Sequence, residues 1–221
     1  PQTGTISKGF KQEGYLASAT LNFLAFLGWN PGTEQELFSL EELVAAFSLE
    51  RINKAGAKFD VNKAKWFNQQ YLKLTDVGHL ANTYLPHLPQ ADALAFIHLF
   101  LDRVSFPQEI KDLVAEFTQQ PKEYDEDIIA NKWNLESQTG LHVLAAHLPA
   151  CTIWDAEGIK QTIQTALEEA GIKMGKVMQI LRVALSGHGA GPDLMISMQL
   201  WGKEEVIKRL NLALSIFPKR T

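Results

Sequence analysis

A single cysteine, Cys151, stands in the 221 residues, which excludes an internal disulfide framework and a cysteine-built zinc cage. No apolar run reaches the roughly 18 residues of a membrane span without a polar break. Period-two alternation with β-branched residues is almost absent, so a sheet protein is not expected. No HExxH occurs among the six histidines, and His142 and His147 stand five apart, on different faces of a helix. Gly187-His188-Gly189-Ala190-Gly191 is glycine-rich, but no GK[ST] follows and no strand precedes it, so it is no phosphate loop. Cys151 lies near His147, a weak Cys-His pairing. Glu168-Glu169 and Glu204-Glu205 are adjacent and diverge on a helix. A metal centre is therefore not expected, and neither is a stand-alone catalytic site.

What is present is an ordinary globular composition, 46% hydrophobic and 21% charged, with a net charge of −4. That balance argues against a strongly basic nucleic-acid binder, yet it conceals asymmetry. Residues 51–73 carry a local +5, residues 172–187 a local +3 and residues 109–136 a local −5. Fields act within about 8–10 Å, so a basic face survives a negative total. Charge runs of this kind are also what solvated helix faces look like. The absence of Met at Pro1 and of a charged-then-apolar leader reads as a processed or excised piece. The lone cysteine fits a reducing cytoplasm.

The apolar spacing is helical along the chain. Tyr15, Leu16, Ala19, Phe23, Leu24 and Leu27 form one stripe that Gly28 ends. Ser39-Leu40-Glu41-Glu42 fits a capping box, and Asp76 fits a helix cap. Residues 1–13 read as a strap, residues 62–73 as a helix with Trp66, Phe67 and Tyr71 inward, and Ala91–Arg103 as a helix surrounded by others. Leu135–His147, Asp155–Ala170 and Lys203–Phe217 carry further helical patterns. Ten to twelve helices are expected, with joints near residues 119–127 and Pro149. Basic and aromatic residues interleave at helix ends, an arrangement that can stack splayed bases and donate to them.

Several ordered blocks resemble the region beyond the catalytic loop of bacterial glutamyl-tRNA synthetases. They are Gly14-Tyr15-Leu16; Asn22 through Gly32; Phe47-Ser48-Leu49-Glu50-Arg51-Ile52 with Lys54; Lys58-Phe59-Asp60; and Lys65-Trp66-Phe67-Asn68. Leu181 through Gly187, Gly191-Pro192-Asp193-Leu194, Trp201-Gly202-Lys203-Glu204 and Arg209-Leu210 complete the series. The resemblance implies an all-α fold: a multi-helix anticodon-binding domain of class I synthetase type, preceded by a small helical stem-contact domain. It implies a linker remnant over 1–13, a stem-contact domain over 14–76, and anticodon-binding subdomains over 77–148 and 149–221.

The implied partner is tRNA(Glu), bound by a cytoplasmic monomer that takes neither DNA nor membrane. Anticodon contacts fall at Arg103, Arg182, Gly191 (through its backbone), Pro192, Leu194 and Met195, and stem contacts at Lys54, Lys58 and Lys65. Arg103 and the glycine-proline bend are expected to meet in one electropositive cleft. No catalytic residue and no metal is expected in this segment, which alone should be inactive. The full-length ligase would use ATP and Mg²⁺ to attach glutamate to tRNA. The competing reading is a helical protein-interaction module without RNA binding. For single residues, Arg182 as a structural arginine, Arg103 as a helix C-cap, and Leu194 and Met195 as core stay open beside the RNA roles.

Overall fold

The computed structural model describes residues 9–53, 56 and 58–220. Among them the chain is helical with no strand; Trp29 and Ile52 form an isolated antiparallel bridge. Thirteen α-helical segments and three 3₁₀ turns are found, more than the spacing predicts. The additional ones are short. α1 (Phe10–Glu13) lies in the stretch expected to be a strap and is closed by Gly14 at φ 95°. A seven-residue helix, Glu126–Lys132, begins inside the expected joint because the Asp125 carboxylate accepts from Ile128 N at 3.0 Å. The chain divides into two compact units, the first ending at Val114 and the second beginning at Ala115.

The first unit contains α2 (Ala17–Gly28), α3 (Leu40–Ala46), α4 (Val61–Lys73), α5 (Val77–Tyr84), α6 (Gln90–Phe100) and most of α7 (Glu109–Thr118). Apolar periodicity places α2 against α4, with Ala19 and Phe23 packed on Ala64, Phe67 and Tyr71. Trp66 lies at the edge of that cluster, partly buried. Ser39 caps α3 as its sequence predicts: its hydroxyl accepts from Glu42 N at 3.1 Å and Glu42 Oε2 accepts from Ser39 N at 2.7 Å. Asp76 caps α5 through His79 N at 2.6 Å. The core is polar at one point, where the Tyr71 hydroxyl sits 2.5 Å from both Asn22 Oδ1 and the Phe38 carbonyl. Burial of that phenol raises its pKa above the ordinary 10.0.

The second unit is built from α8 (Glu126–Lys132), α9 (Leu135–His147), α10 (Ala156–Glu169), α11 (Met174–Ser186), α12 (Leu194–Trp201) and α13 (Lys203–Ile216). One apolar core joins them, with Leu141, Leu144, Ile159, Ile163, Ile180, Leu181, Met198 and Leu210 fully enclosed. α11 is central. It packs on α8, α9, α10 and α13, and so five of its side chains between Val177 and Ala184 are completely covered.

Candidate nucleic-acid interface

In the first unit, Arg103 closes the 3₁₀ turn Leu101–Arg103 that continues α6, and its side chain is exposed. Its backbone is held from both sides by α4. Gln69 Nε2 donates to the Asp102 carbonyl at 3.0 Å, and Asn68 Nδ2 donates to the Ser105 carbonyl at 2.6 Å. Asn68 Oδ1 also accepts from Leu16 N at 2.7 Å. One buried amide therefore ties the start of α2 to the loop after Arg103. Glu109 Oε2 accepts from Ser105 N and Phe106 N at 2.8 and 3.0 Å, so the proline-containing loop is a closed turn. Val104 and Pro107 are buried on either side of it.

The basic stretch 51–73 is less basic in space than in sequence. Lys73 Nζ lies 2.7 Å from Asp102 Oδ1, and this hydrogen bond and charge hold the Asp102 carboxyl below its usual range. Lys63 Nζ lies 2.5 Å from Glu36 Oε1 and 4.1 Å from the Trp66 ring centre. Arg51 Nη1 donates to the Pro31 carbonyl. Both acids come from outside the stretch. Lys58 and Lys65 are exposed, and Lys54 lies outside the described residues.

In the second unit, the bend between α11 and α12 is held closed by Arg182. Its Nη1 donates to the Pro192 carbonyl at 2.7 Å, across ten residues, from a half-buried position on α11. α11 ends on Gly187 at φ 81°, where any side chain would strain the backbone. A Cβ there would also come 2.5 Å from the Glu123 carbonyl. Asp125 N donates to the Gly187 carbonyl at 2.8 Å, seating the bend on the start of α8. Gly191 faces the arginine: a Cβ at this position would lie 3.1 Å from Arg182 Nη1. Asp193 caps α12 through Ile196 N at 2.9 Å. Leu194 is 5% exposed and Met195 partly covered, both packed on the unit's core.

Beneath this bend lies Arg209, whose part the linear pattern does not reveal. It is 1% exposed. Its Nε pairs with Glu205 Oε1 at 2.7 Å, Nη1 donates to the Leu185 carbonyl at 3.1 Å and Nη2 to the Gln119 carbonyl at 2.8 Å. The guanidinium lies 4.6 Å from the Trp201 ring centre, and Trp201 Nε1 donates to the Phe117 carbonyl at 2.7 Å. The Phe117 and Leu185 carbonyls belong to the last turns of α7 and α11 and the Gln119 carbonyl to the residue just after α7, where no intrahelical partner exists. A single cation thus caps two helix C-termini, a favourable placement for its charge. The only signal in the sequence was its place in the closing motif, beside Trp201.

Residues 61–214 match the family model for the anticodon binding domain, and residues 2–66 match that for the catalytic domain of class I tRNA synthetases (E and Q). A glutamate–tRNA ligase of Cytophaga hutchinsonii is 44% identical over 97% of this chain and 43% of its own length. One of Amoebophilus asiaticus is 41% identical over 98% and 44%. The crystal structure of the Elizabethkingia meningosepticum glutamate tRNA ligase in complex with its amino acid superposes with a TM-score of 0.87 at 35% identity. It covers 98% of this chain and 44% of that one. The chain thus spans less than half the length of the relatives it matches. With its all-helical build and the ordered motifs around Arg182 and Arg209, it belongs to the anticodon-binding domain family, as the counterpart of the C-terminal part of glutamate–tRNA ligases.

Proposed function

We propose that this chain grips tRNA(Glu) for a glutamate–tRNA ligase, with the bend after α11 and the turn at Arg103 meeting the anticodon loop. The observation that carries the reading is the Arg182–Pro192 clasp, a guanidinium fixed beside a glycine-proline bend within the matched anticodon-binding region. Unstacked bases are recognised by planar donors and by backbone groups of turns. In this proposal Arg103 and Arg182 donate to base edges. Gly191 and Pro192 offer close backbone approach, and Leu194 and Met195 form the floor beneath them. Lys58, Lys65 and Lys54 contact the stem. The division by role is a stem-contact part over 14–76 and anticodon-binding parts over 77–148 and 149–221, the middle part running from the first unit into the second.

In the whole ligase, ATP and Mg²⁺ would serve glutamate activation in the cytoplasm, and this segment would orient the distal tRNA so that binding energy aligns the acceptor end. Among the described residues, no group of three or more His, Cys, Asp and Glu is placed to hold a metal ion, and the segment is given no step of that chemistry.

The test is a titration of the chain with tRNA(Glu) and with an anticodon-substituted transcript at several salt concentrations. Log affinity should fall with log salt by roughly 0.7–0.9 per phosphate contact. Arg103→Ala and Arg182→Ala should each weaken binding by roughly ten- to a hundredfold, the range of a lost base contact. Salt-independent binding, or equal affinity for the two transcripts, would remove the assignment.

A further inference from the structure

Exposed large apolar side chains are unevenly distributed. Of the fourteen among the described residues, nine lie between Leu21 and Val61, inside the segment matched to the catalytic-domain family. α3 shows why. At about 100° per residue, Leu43, Phe47, Leu40 and Val44 fall on one stripe roughly 100° wide. The unit's own core takes Leu43, which packs with Trp29 and Phe38, and one side of Phe47, whose ring centre lies 5.8 Å from that of Trp29. Leu40, Val44 and Phe47 remain 56%, 72% and 49% exposed, and Leu49, in the 3₁₀ turn just beyond, 73%. Together they expose on the order of 400 Å² of apolar surface, the size of the largest patch on an ordinary monomer, which is often functional.

The rim excludes RNA as the occupant. α3 carries Glu41 and Glu42 and no basic side chain, and Glu50 follows. Arg51 turns its guanidinium to the Pro31 carbonyl. Phosphates need cations, and here they would meet carboxylates. A protein surface with an apolar centre and a basic edge fits instead. The relatives are more than twice as long, and the catalytic-domain family is matched here only by residues 2–66, so the rest of such a domain is the body available to cover the stripe.

We propose that the outward stripe Leu40–Val44–Phe47–Leu49 is the seat of the remaining part of a class I catalytic domain, which meets it with an apolar surface edged by basic side chains. This rests on family membership and not on the anticodon contacts, so the two readings fail separately. In this arrangement α3 is an apolar joint between the catalytic body and the tRNA-gripping helices.

Hydroxyl-radical footprinting without tRNA tests it, applied to the 221-residue chain and to the full-length product of its gene. Val44, Phe47 and Leu49 should be modified readily in the shorter chain and at least tenfold more slowly in the longer one. Leu135, Ile153 and Ile216, exposed elsewhere, should react equally in both. A Val44→Asp/Leu49→Asp double variant should leave the melting temperature of the 221-residue chain within about 2 °C, as expected for exposed sites, and should lower that of the full-length product. The proposal is overturned by equal modification in the two chains or by protection that needs added tRNA. Protection already present in the 221-residue chain, or a gene product no longer than 221 residues, overturns it as well.

Discussion

Replacing Arg209 with methionine keeps an unbranched apolar stem and removes all of the donors. The loss can be worked from its partners. The Leu185 and Gln119 carbonyls lose charge-assisted hydrogen bonds of 3.1 and 2.8 Å, Glu205 loses its ion-pair partner, and Trp201 loses a cation 4.6 Å from its ring. Removing one partner of a buried charge pair costs about 3–5 kcal/mol. The Glu205 side chain is 27% exposed, so water can solvate the abandoned carboxylate and the cost should lie near 3 kcal/mol. For a unit of about 100 residues that is a fall in melting temperature of roughly 12–24 °C. Urea unfolding followed by tryptophan fluorescence measures it, and hydrogen exchange along the last turn of α11 localises it. Arg209→Lys should recover only part of the loss, because an ammonium cannot reach carbonyls of two helices and a carboxylate at once. A change below about 1 kcal/mol in the methionine variant, or full rescue by lysine, would refute the assignment of Arg209 as the shared cap.

Further expectations concern the bend and the charged turn. Gly187→Ala should destabilise the chain by roughly 1–3 kcal/mol, since it forces a side chain into a left-handed backbone and against the Glu123 carbonyl; thermal unfolding reads it. Gly191→Ala meets no such backbone demand, and its methyl only presses the Arg182 guanidinium. Stability should change by less than about 0.5 kcal/mol while affinity for tRNA(Glu) falls, which a melting curve and a binding titration separate. The Asp102 carboxyl, lowered by Lys73, should titrate below 3.8 in a carbon-detected NMR series, and Lys73→Met should return it toward that value. The sign follows from the depressed folded pKa: the pair's contribution is present above the unfolded value and is lost as pH falls through the folded one. Asp193→Ala, which removes the α12 cap, should cost about 1 kcal/mol in urea unfolding.

Much of the helical frame is written locally. The Ser39 box, the Asp76 cap and the Gly28 and Gly171 stops depend on neighbours within a few residues, so spacing alone finds them. α8 escapes that reading because its first turn, Glu126-Asp127, is acidic for a local reason, placed where a helix N-terminus favours negative charge. In the sequence the same residues look like a solvated charge run. Arg209 escapes for a non-local reason. A charged residue on a helix reads as solvent-facing, and nothing near it in sequence shows that the ends of two other helices bring their unpaired carbonyls to it. Asn68 is similar: its motif is visible, but its bonds run 52 residues back to Leu16 and 37 forward to Ser105.

The same distinction governs the charge that RNA would meet. A sum over residues 51–73 treats each cation as available, yet Glu36 neutralises Lys63 and Asp102 engages Lys73 from outside the stretch. Both pairs are partly exposed, and such pairs add little to stability. Their effect is on placement: Lys63 is drawn onto the Trp66 face, and Lys73 fixes the residue next to Arg103. The cost in positive field is therefore also a gain in order. The turn that presents Arg103 is braced by α4 through the buried Asn68 and the more exposed Gln69 and Lys73, rather than left as a loose loop after α6. A guanidinium on a braced turn loses less freedom on meeting a base than one on a mobile loop, so in the proposed RNA role the Lys73–Asp102 pair, which weakens the apparent basic patch, would also help hold Arg103 ready.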